Sequence, residues 1–246
     1  MNFRNMIAPI YVLVLLVHCF LLWTEQLELA RITKILLMPL LLLYLSEALA
    51  PSPIKLKIST RLVAMAFLAS WGGDIFLLYS GNIFFIGGML CFMVAHFCYI
   101  ILFKNIQPFK ISNAFLPIMG GIVVLVIGAI ILNHLAPKLG DLFLPVLVYM
   151  IVIATMFASS ILISCNAGTK QFGVNYFVPG AALFVLSDSV LSLNIFAYKN
   201  VFLGVIVMLS YGFAQFLLAK GFKNYLLNKK EAVSKGAVSF FMKKSF

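Results

Sequence analysis

Long apolar runs separated by short polar or glycine-containing connections limit the fold of this chain more than any other feature. The runs lie near residues 7–23, 32–50, 61–79, 83–103, 114–132, 142–163, 175–194 and 200–219. Each supplies roughly the 20 mostly apolar residues that a helix needs to cross a bilayer. Because 63% of the 246 residues are hydrophobic and only 10% are charged, no room remains for a soluble catalytic domain. The sequence predicts an all-α polytopic membrane protein, a bundle of about eight transmembrane helices within one domain, residues 1–220.

The basic residues predict the orientation of this bundle. When the connections are assigned to alternate sides, about fourteen of the 18 Lys and Arg residues fall on one side. The remaining four are Arg31, Lys34, Lys138 and Lys199. Because connections rich in Lys and Arg stay in the cytoplasm, both termini are predicted to be cytoplasmic. The same bias and the compact loops favour a bacterial inner membrane.

Residues 221–246 are predicted to form a basic cytoplasmic tail. Its lysines alternate with aromatic residues, which is typical of a segment that lies on anionic membrane lipid. A basic tail with no function beyond orientation is the alternative. The net charge of +11 is therefore attributed to membrane topology, and no nucleic-acid partner is expected.

Two pairs of runs resemble each other. The third and fourth runs contain SWGGDIFLL followed by FMVAHF, and the seventh and eighth contain VLSDSVLSL followed by YGFAQF. Since four runs separate the two pairs, both pairs cross in the same direction, as in a parallel four-plus-four repeat. The alignment requires a gap, so chance resemblance is the alternative.

Two of the seven acidic residues, Asp74 and Asp188, lie well inside apolar runs. An ionisable side chain in the hydrocarbon region is costly unless it faces the bundle interior and has a partner, so each indicates a functional site. Both lie at a similar depth, roughly 8–9 Å below the outer ends of their helices. If those helices are neighbours, the carboxylates face each other across a cavity, where repulsion favours one protonated acid beside one ionised base. A structural hydrogen bond between helices is the alternative for each.

Other polar side chains interrupt the same apolar runs. His96 and Tyr99 lie one turn apart on the fourth predicted helix and share a face. The others, from the sixth, seventh and eighth helices, are Tyr149, Ser187, Tyr211 and Gln215. Each alone is typical of a hydrogen bond between packed helices, but together they predict one pocket. Lys34, level with the lipid headgroups, is placed either to hold a phosphate or to extend to water.

Other kinds of catalytic site are not indicated by the sequence. A metal hydrolase needs about three His or carboxylate ligands, and the three histidines lie far apart in the sequence. A site built from His96, Asp74 and Asp188 has no local spacing motif. The GxSxG motif of serine hydrolases is absent, and the four cysteines form no CxxC pair. The sequence therefore predicts neither a metal nor a cofactor.

Three sequence blocks resemble the YhhN-like lysoplasmalogenase family. They are Ser70-x-x-Gly73-Asp74 leading into Leu77-Leu78, Phe85-x-x-Gly88-x-x-x-Phe92-x-x-x-His96-x-x-Tyr99, and Gly180-Ala181-Ala182-Leu183-Phe184-x-x-Ser187-Asp188. The Lys34–Pro39 stretch and the Tyr211 and Gln215 pair are also similar, so the resemblance covers nearly the whole chain. Lys34 departs from the family pattern, because the lysine of the family is expected directly beside the proline.

The resemblance implies an integral membrane hydrolase that cleaves the vinyl ether bond of lysoplasmalogens to a fatty aldehyde and glycerophosphocholine or glycerophosphoethanolamine. Such a bond is cleaved when its β-carbon is protonated and water captures the resulting oxocarbenium ion. One of Asp74 and Asp188 is expected to deliver the proton while the other stabilises the cation. The residues expected to bind substrate are Lys34, His96, Tyr99, Tyr149, Ser187, Tyr211 and Gln215. The expected partners are the lysophospholipid substrate and membrane lipids.

Two other functions fit the same residues. A proton-coupled membrane transporter would use Asp74, Asp188 and His96 as a proton relay and the repeat as its framework. A lipid-binding or scaffolding membrane protein would use the two aspartates only to join helices. Against a transporter, none of the runs has the clear central Gly or Pro break that is typical of an unwound transport helix.

Overall fold

The computed structural model describes the backbone of residues 3–50 and 56–244 and the side chains of residues 6–50 and 56–234. All regular structure in these residues is helical, which confirms the predicted all-α fold. Eight long helices follow one another in the described chain. They are α1 (Phe3–Trp23), α2 (Leu27–Leu49), α3 (Lys57–Phe76), α4 (Asn82–Ile106), α5 (Phe115–Leu139), α6 (Phe143–Ser164), α7 (Lys170–Tyr198) and α8 (Val201–Lys244).

The protein is an integral membrane protein by the length and composition of these helices. Six helical stretches of the described chain are long and apolar enough to cross a membrane. One of them, Phe115–Ser164, turns at Gly140 into α5 and α6, which pack on each other. The helix α3, which carries Lys57, Arg61 and Asp74, is not among the six. Six or seven crossings are therefore supported, and the eighth stays a prediction.

The helices pack as four hairpins. Each of the pairs α1 and α2, α3 and α4, α5 and α6, and α7 and α8 is in extensive contact. Further contacts join α2 to α3, α6 to α7, α4 to α6, and α8 to both α1 and α2. A shift of four helices converts the contact between α2 and α8 into the contact between α6 and α4. The same shift would convert the contact between α1 and α8 into one between α5 and α4, which is not among the extensive contacts of the described residues. The four-plus-four repeat therefore stays a prediction.

Residues with positive φ make the tight connections between helices. Gly81 (φ 118°) lies between α3 and α4, and Gly140 (φ 51°) lies between α5 and α6. Residues with a Cβ rarely adopt such angles, whereas glycine does so at little cost. Gly81 therefore allows α3 and α4 to form a tight hairpin. Between α7 and α8 the same role falls to Lys199 (φ 48°), which is not a glycine.

Stacked aromatic rings form much of the core among α4, α7 and α8. The Phe222 ring lies 5.7 Å from Tyr99 and 5.8 Å from Phe103, both on α4. It also lies 4.8 Å from the ring of Phe177 on α7. All four rings are almost completely buried, whereas many large apolar side chains on the outside of the bundle are exposed, as expected for a surface that faces lipid. This core fixes the helices that carry the buried polar side chains His96, Ser187 and Gln215.

The last helix continues past the predicted domain boundary at residue 220. Beyond this point Lys223 lies 3.8 Å from Glu47 and 4.2 Å from the centre of the Tyr44 ring. The Lys230 ammonium donates hydrogen bonds to the carbonyl oxygens of Glu47 (3.3 Å) and Ala50 (3.0 Å). Carbonyls at a helix C-terminus have no partner within the helix, so a lysine stabilises them.

The predicted boundary between residues 1–220 and 221–246 thus falls inside one continuous helix. The lysines indicated an interface in the sequence, but apolar residues between them, such as Leu226, are buried in the same core. The side chains of the tail from residue 235 onward lie outside the described residues. The same is true of Arg4 and of residues 51–55, which were used to predict the orientation.

Candidate active site

Asp188 on α7 forms a hydrogen-bonded group with Tyr149 of α6 and His96 of α4, called here the Asp188 group. The Tyr149 hydroxyl donates to Asp188 Oδ2 over 2.5 Å. His96 Nε2 lies 2.9 Å from the same hydroxyl oxygen and 3.7 Å from Asp188 Oδ2. Because the hydroxyl proton points to the carboxylate, the geometry assigns His96 Nε2 as the donor to the tyrosine oxygen. His96 Nδ1 has no hydrogen-bond partner among the described residues.

Asp74 on α3 belongs to a second group, the Asp74 group, with Tyr211 of α8 and Lys34 of α2. Asp74 is only 2% exposed, and the Tyr211 hydroxyl donates to its Oδ2 over 2.8 Å. Lys34 lies close enough to interact electrostatically with the same carboxylate. A buried carboxylate with a hydrogen-bond donor and a nearby cation satisfies the conditions under which an apolar interior tolerates a charge.

Two glycines let α3 and α4 approach closely beside Asp74. A Cβ atom on Gly73 would lie 2.8 Å from the ring of Phe92, and one on Gly88 would lie 2.9 Å from the side chain of Leu77. Carbon atoms in contact normally lie about 3.5–4.0 Å apart. The glycine before Asp74 therefore has a packing role, because it admits the Phe92 ring.

The remaining predicted polar residues join helices without bonding to either aspartate. The Tyr99 hydroxyl donates to Gln215 Oε1 over 3.0 Å, and Gln215 Nε2 donates to Ser70 Oγ over 3.0 Å. This chain links α4, α8 and α3, and all three side chains are completely buried. Ser187 donates to the backbone carbonyl of Val207 over 3.2 Å. In the described part of the chain, these residues position the helices that carry the two acidic groups.

Aromatic rings connect the Asp188 group to the Asp74 group. The Phe184 ring lies 4.7 Å from the His96 ring and 5.5 Å from the Tyr211 ring. Phe92 lies 5.7 Å from Tyr211. The two carboxylates also interact electrostatically. The structure therefore brings both predicted aspartates into one region of the bundle.

A row of neighbouring cavities, called here the cavity path, passes Asp188. At one end lies a cavity of about 490 Å³, named the lysine cavity because Lys34 and Lys199 both line it. A second cavity reaches Asp188 and shares part of its wall with the lysine cavity. The side chains that line both are Leu77, Phe85 and Leu191. Because of these shared residues, the lysine cavity and the cavity that reaches Asp188 are direct neighbours.

Beyond Asp188 the path continues as an apolar slot among α5, α6 and α7. Asp188, Tyr149 and Ser192 line both the second cavity and the slot. Apolar residues along the slot are Ile131, Leu132, Leu135, Val146, Met150, Ile153 and Val185. Asp188 therefore lies between two mostly apolar cavities, and the polar lining begins farther along, in the lysine cavity. Asp74, in contrast, lines none of these cavities and does not line the neighbouring cavity beside His18.

Two residues that line these cavities were not among the predicted site residues. Lys199 lines the lysine cavity, and its charge was the only feature in the sequence that could have indicated this role. His18 lines a neighbouring cavity of about 350 Å³ that shares Lys34. His18 Nδ1 lies 2.9 Å from Thr33 Oγ1, and its Nε2 has no partner among the described residues. The position of His18 inside an apolar run could have indicated it from the sequence.

The chemistry open to this arrangement is proton transfer beside a fixed negative charge. Asp188 borders the cavities and is hydrogen-bonded to a tyrosine and, through it, a histidine, whereas Asp74 is held in the interior. Within the part of the chain that the structure describes, no three His, Cys, Asp or Glu side chains are grouped closely enough to hold a metal ion. A carboxyl group at a cavity wall, with its second oxygen hydrogen-bonded, suits general acid and base catalysis.

Comparison with known proteins connects this site to a family. Residues 29–222 match the model of the YhhN family. Lysoplasmalogenase TMEM86B of Homo sapiens is 30% identical over 165 residues, which are 65% of this chain and 62% of that protein. The chain thus matches less than two thirds of the length of this relative. No solved structure matches the chain. Because the matched region covers most of the chain and contains both acidic groups, this protein belongs to the YhhN family.

Proposed function

We propose that this protein hydrolyses the vinyl ether bond of lysoplasmalogens, releasing a fatty aldehyde and glycerophosphocholine or glycerophosphoethanolamine. The position of Asp188 between the lysine cavity and the apolar slot carries this proposal. A lysoplasmalogen has its vinyl ether at the equivalent boundary, between an apolar chain and a phosphate-bearing headgroup. Membership of the YhhN family and the similarity to a human lysoplasmalogenase support the same reaction.

In this proposal the substrate lies along the cavity path in one direction. Its alkenyl chain lies in the apolar slot, and its headgroup lies in the lysine cavity near Lys34. This places the vinyl ether beside Asp188 and Tyr149, which line both the slot and the second cavity. Apolar walls with a few polar groups at one point are the usual design of a small-molecule site, since the polar groups fix the orientation.

Asp188 is assigned as the acid because it borders the cavities. In its protonated form it transfers a proton from the oxygen not bonded to Tyr149 to the β-carbon of the vinyl ether. The carboxylate that remains is stabilised by the Tyr149 hydroxyl at 2.5 Å, and His96 Nε2 lies 3.7 Å away. Donors that are already in place for the developing charge are an effective means of lowering a barrier.

Asp74 is assigned as the ionised partner. The hydrogen bond from Tyr211 and the nearby Lys34 favour the charged form of its carboxylate, and Asp74 interacts electrostatically with Asp188. A fixed negative charge in a low-dielectric interior stabilises the oxocarbenium ion that forms nearby. Asp74 thus acts through space, without entering the cavity path.

Water completes the reaction and restores the acid. The Asp188 carboxylate accepts a proton from a water molecule as the water oxygen attacks the oxocarbenium carbon. The resulting hemiacetal breaks into a fatty aldehyde and the free hydroxyl of the glycerophospho headgroup. One water is consumed, and Asp188 returns to its protonated form, so the same residue serves first as acid and then as base.

Release of fatty aldehyde from a 1-alkenyl lysophospholipid by the purified protein in detergent tests this function. We expect release by the parent protein and a loss of about a thousandfold in Asp188→Asn. Asp141→Asn is the matched control, because it removes an exposed carboxylate outside the cavities. A folded parent that releases no aldehyde from either the choline or the ethanolamine substrate contradicts the proposal. Proton flux by that parent in proteoliposomes would then favour the transporter.

We also propose an orientation with both termini in the cytoplasm of a bacterial inner membrane. Lys34 and Lys199, which the charge pattern assigns to the outer side, line one cavity in the structure. A membrane-impermeant thiol reagent applied to intact cells is expected to label Lys138→Cys but not Lys229→Cys. The reverse labelling would place the termini outside.

A further inference from the structure

Lys199 has a backbone conformation that glycine usually adopts. Its φ of 48° and ψ of 51° lie in the left-handed region, directly after the π-helical segment Asn194–Tyr198 that ends α7. A side chain with a Cβ is disfavoured there, and such residues concentrate at functional sites. A π-helical turn is also frequent at functional sites. The structure therefore maintains a lysine at a position where its backbone is strained.

Hydrogen bonds accepted by two asparagines fix this turn. The Lys199 N–H donates to the Asn194 carbonyl over 2.8 Å, and the Asn200 N–H donates to Asn194 Oδ1 over 2.7 Å. The Phe202 N–H then donates to Asn200 Oδ1 over 2.7 Å at the start of α8. The Lys199 side chain consequently starts from a fixed point on the wall of the lysine cavity.

The lysine cavity contains two cationic side chains and no carboxylate in its lining. Lys34 interacts with Asp74, but Lys199 forms no ion pair among the described residues. The polar residues that complete the lining are Tyr79, Ser80 and Asn82, which all carry hydrogen-bond donors. A cavity of about 490 Å³ with two ammonium groups and several donors is complementary to a phosphate.

We propose that Lys34 and Lys199 form a two-lysine site that binds the phosphate of the lysophospholipid headgroup. This deepens the proposed function, on which it rests, by naming Lys199 as a specificity-determining residue. The site recognises the phosphate and not the amine beyond it, because two lysines repel an ammonium group and no carboxylate lines the cavity. Choline and ethanolamine substrates are therefore expected to bind equally well.

Binding of a lipid that cannot be cleaved tests the site directly. The probes are a 1-alkyl lysophospholipid, whose saturated ether has no vinyl group to protonate, and the 1-alkylglycerol that lacks the phosphate. We expect the parent protein to bind the phospholipid about tenfold more tightly than the alkylglycerol. In Lys199→Gly this difference is expected to fall to about twofold or less, with binding of the alkylglycerol unchanged.

Lys199→Gly is suitable for this test because glycine accepts the left-handed conformation, so the turn is expected to remain folded. Lys199→Arg keeps the charge and is expected to retain most of the preference for the phospholipid. Lys138→Ala removes an exposed lysine assigned to the same side of the membrane and is the matched control. The proposal is wrong if Lys199→Gly prefers the phospholipid over the alkylglycerol as strongly as the parent does. It is also wrong if Lys138→Ala loses as much of this preference as Lys199→Gly.

Competition distinguishes a headgroup site from a site for free phosphate. We expect glycerophosphocholine to displace the 1-alkyl lysophospholipid from the parent protein at a lower concentration than inorganic phosphate does. Equal or stronger displacement by inorganic phosphate overturns the assignment to a headgroup. Measurement at low ionic strength keeps screening of the lysines small.

Aldehyde release separates the fate of this site from that of the proposed function. If the parent protein binds the two probes with the expected difference but releases no aldehyde, the phosphate site is supported and the hydrolase function is wrong. If the parent protein releases aldehyde but Lys199→Gly binds both probes as the parent does, the hydrolase function is supported and the phosphate site is wrong.

Discussion

The two intramembrane aspartates lie in contrasting surroundings. Asp74 is 2% exposed, receives a hydrogen bond from Tyr211 and lies near Lys34. The Asp188 side chain is 14% exposed and borders the cavity path, with Tyr149 as its donor. The sequence presents both as single acids at similar depth in apolar runs, so the packing of neighbouring helices determines which of them meets substrate.

One residue pair in the predicted repeat differs in a way that matches this contrast. Alignment of FMVAHF with YGFAQF places Phe92 opposite Tyr211. Tyr211 donates to Asp74, whereas Phe92 has no hydroxyl and lines a cavity beside Asp188. Asp188 receives its hydroxyl from Tyr149 on α6 instead. The position beside Asp74 thus has a tyrosine that bonds to the carboxylate, whereas the matching position beside Asp188 has a phenylalanine that lines a cavity.

Replacement of Asp188 is expected to have the largest effect. Asp188→Asn removes the transferable proton while keeping the size of the side chain, so kcat is expected to fall about a thousandfold. Fatty aldehyde release at saturating substrate measures the change, and elution as a single detergent-solubilised species shows that the variant is folded. Activity within tenfold of the parent would show that Asp188 is not the acid.

Replacement of Asp74 sharpens the comparison. Asp74→Asn keeps a hydrogen bond to Tyr211 but removes the negative charge, so kcat is expected to fall roughly ten- to a hundredfold with little change in KM. The same aldehyde assay measures both constants. If Asp74→Asn is as inactive as Asp188→Asn and equally well folded, the division between an acid at the cavity and a charge in the interior is wrong.

The two tyrosines are expected to differ in what they stabilise. Tyr149→Phe removes the donor to the Asp188 carboxylate and is expected to lower kcat about tenfold. Tyr211→Phe leaves the buried Asp74 without its donor and is expected to lower the free energy of unfolding by about 1–3 kcal/mol. Activity and thermal unfolding in detergent, measured on both variants, would contradict this view if they changed in parallel.

The smallest expected effect concerns the apolar slot. A Cβ atom on Gly128 would lie 2.5 Å from Met150 Sδ, so Gly128→Val pushes Met150 into the slot. We expect kcat/KM for a long alkenyl chain to fall by about three- to tenfold more than for a short chain. Asp74→Asn is the comparison variant and is expected to leave the chain-length preference unchanged. An equal loss for both chain lengths would show that the chain does not lie there.

The fold class and the two acids were predictable because the bilayer imposes simple rules. A spanning helix must be apolar for about 20 residues, and an acid within it is costly, so Asp74 and Asp188 stand out in the sequence. The extent of the last helix was not predictable in this way. Lysines from Lys220 onward suggested an end, but the apolar residues between them continue the core.

The sequence could not predict which side chains form hydrogen bonds with each other across helices. His96 and Tyr99 share a helix face, as predicted, yet they bond to different helices. His96 meets Tyr149 of α6, whereas Tyr99 meets Gln215 of α8. A period of 3.6 residues shows which side chains share a face but not which neighbour that face meets. The left-handed backbone of Lys199 was hidden for a similar reason, because it depends on the turn that follows α7.

The separation of the apolar slot from the lysine cavity has a consequence for how the products leave. Under the proposed reaction, cleavage at this point yields one product that is soluble in lipid and one that is soluble in water. The aldehyde remains in the apolar slot, whereas the glycerophosphodiester is left in the lysine cavity. Neither product has to pass the other to leave, so the two should depart independently, and their inhibition of the enzyme should be additive and not mutually exclusive.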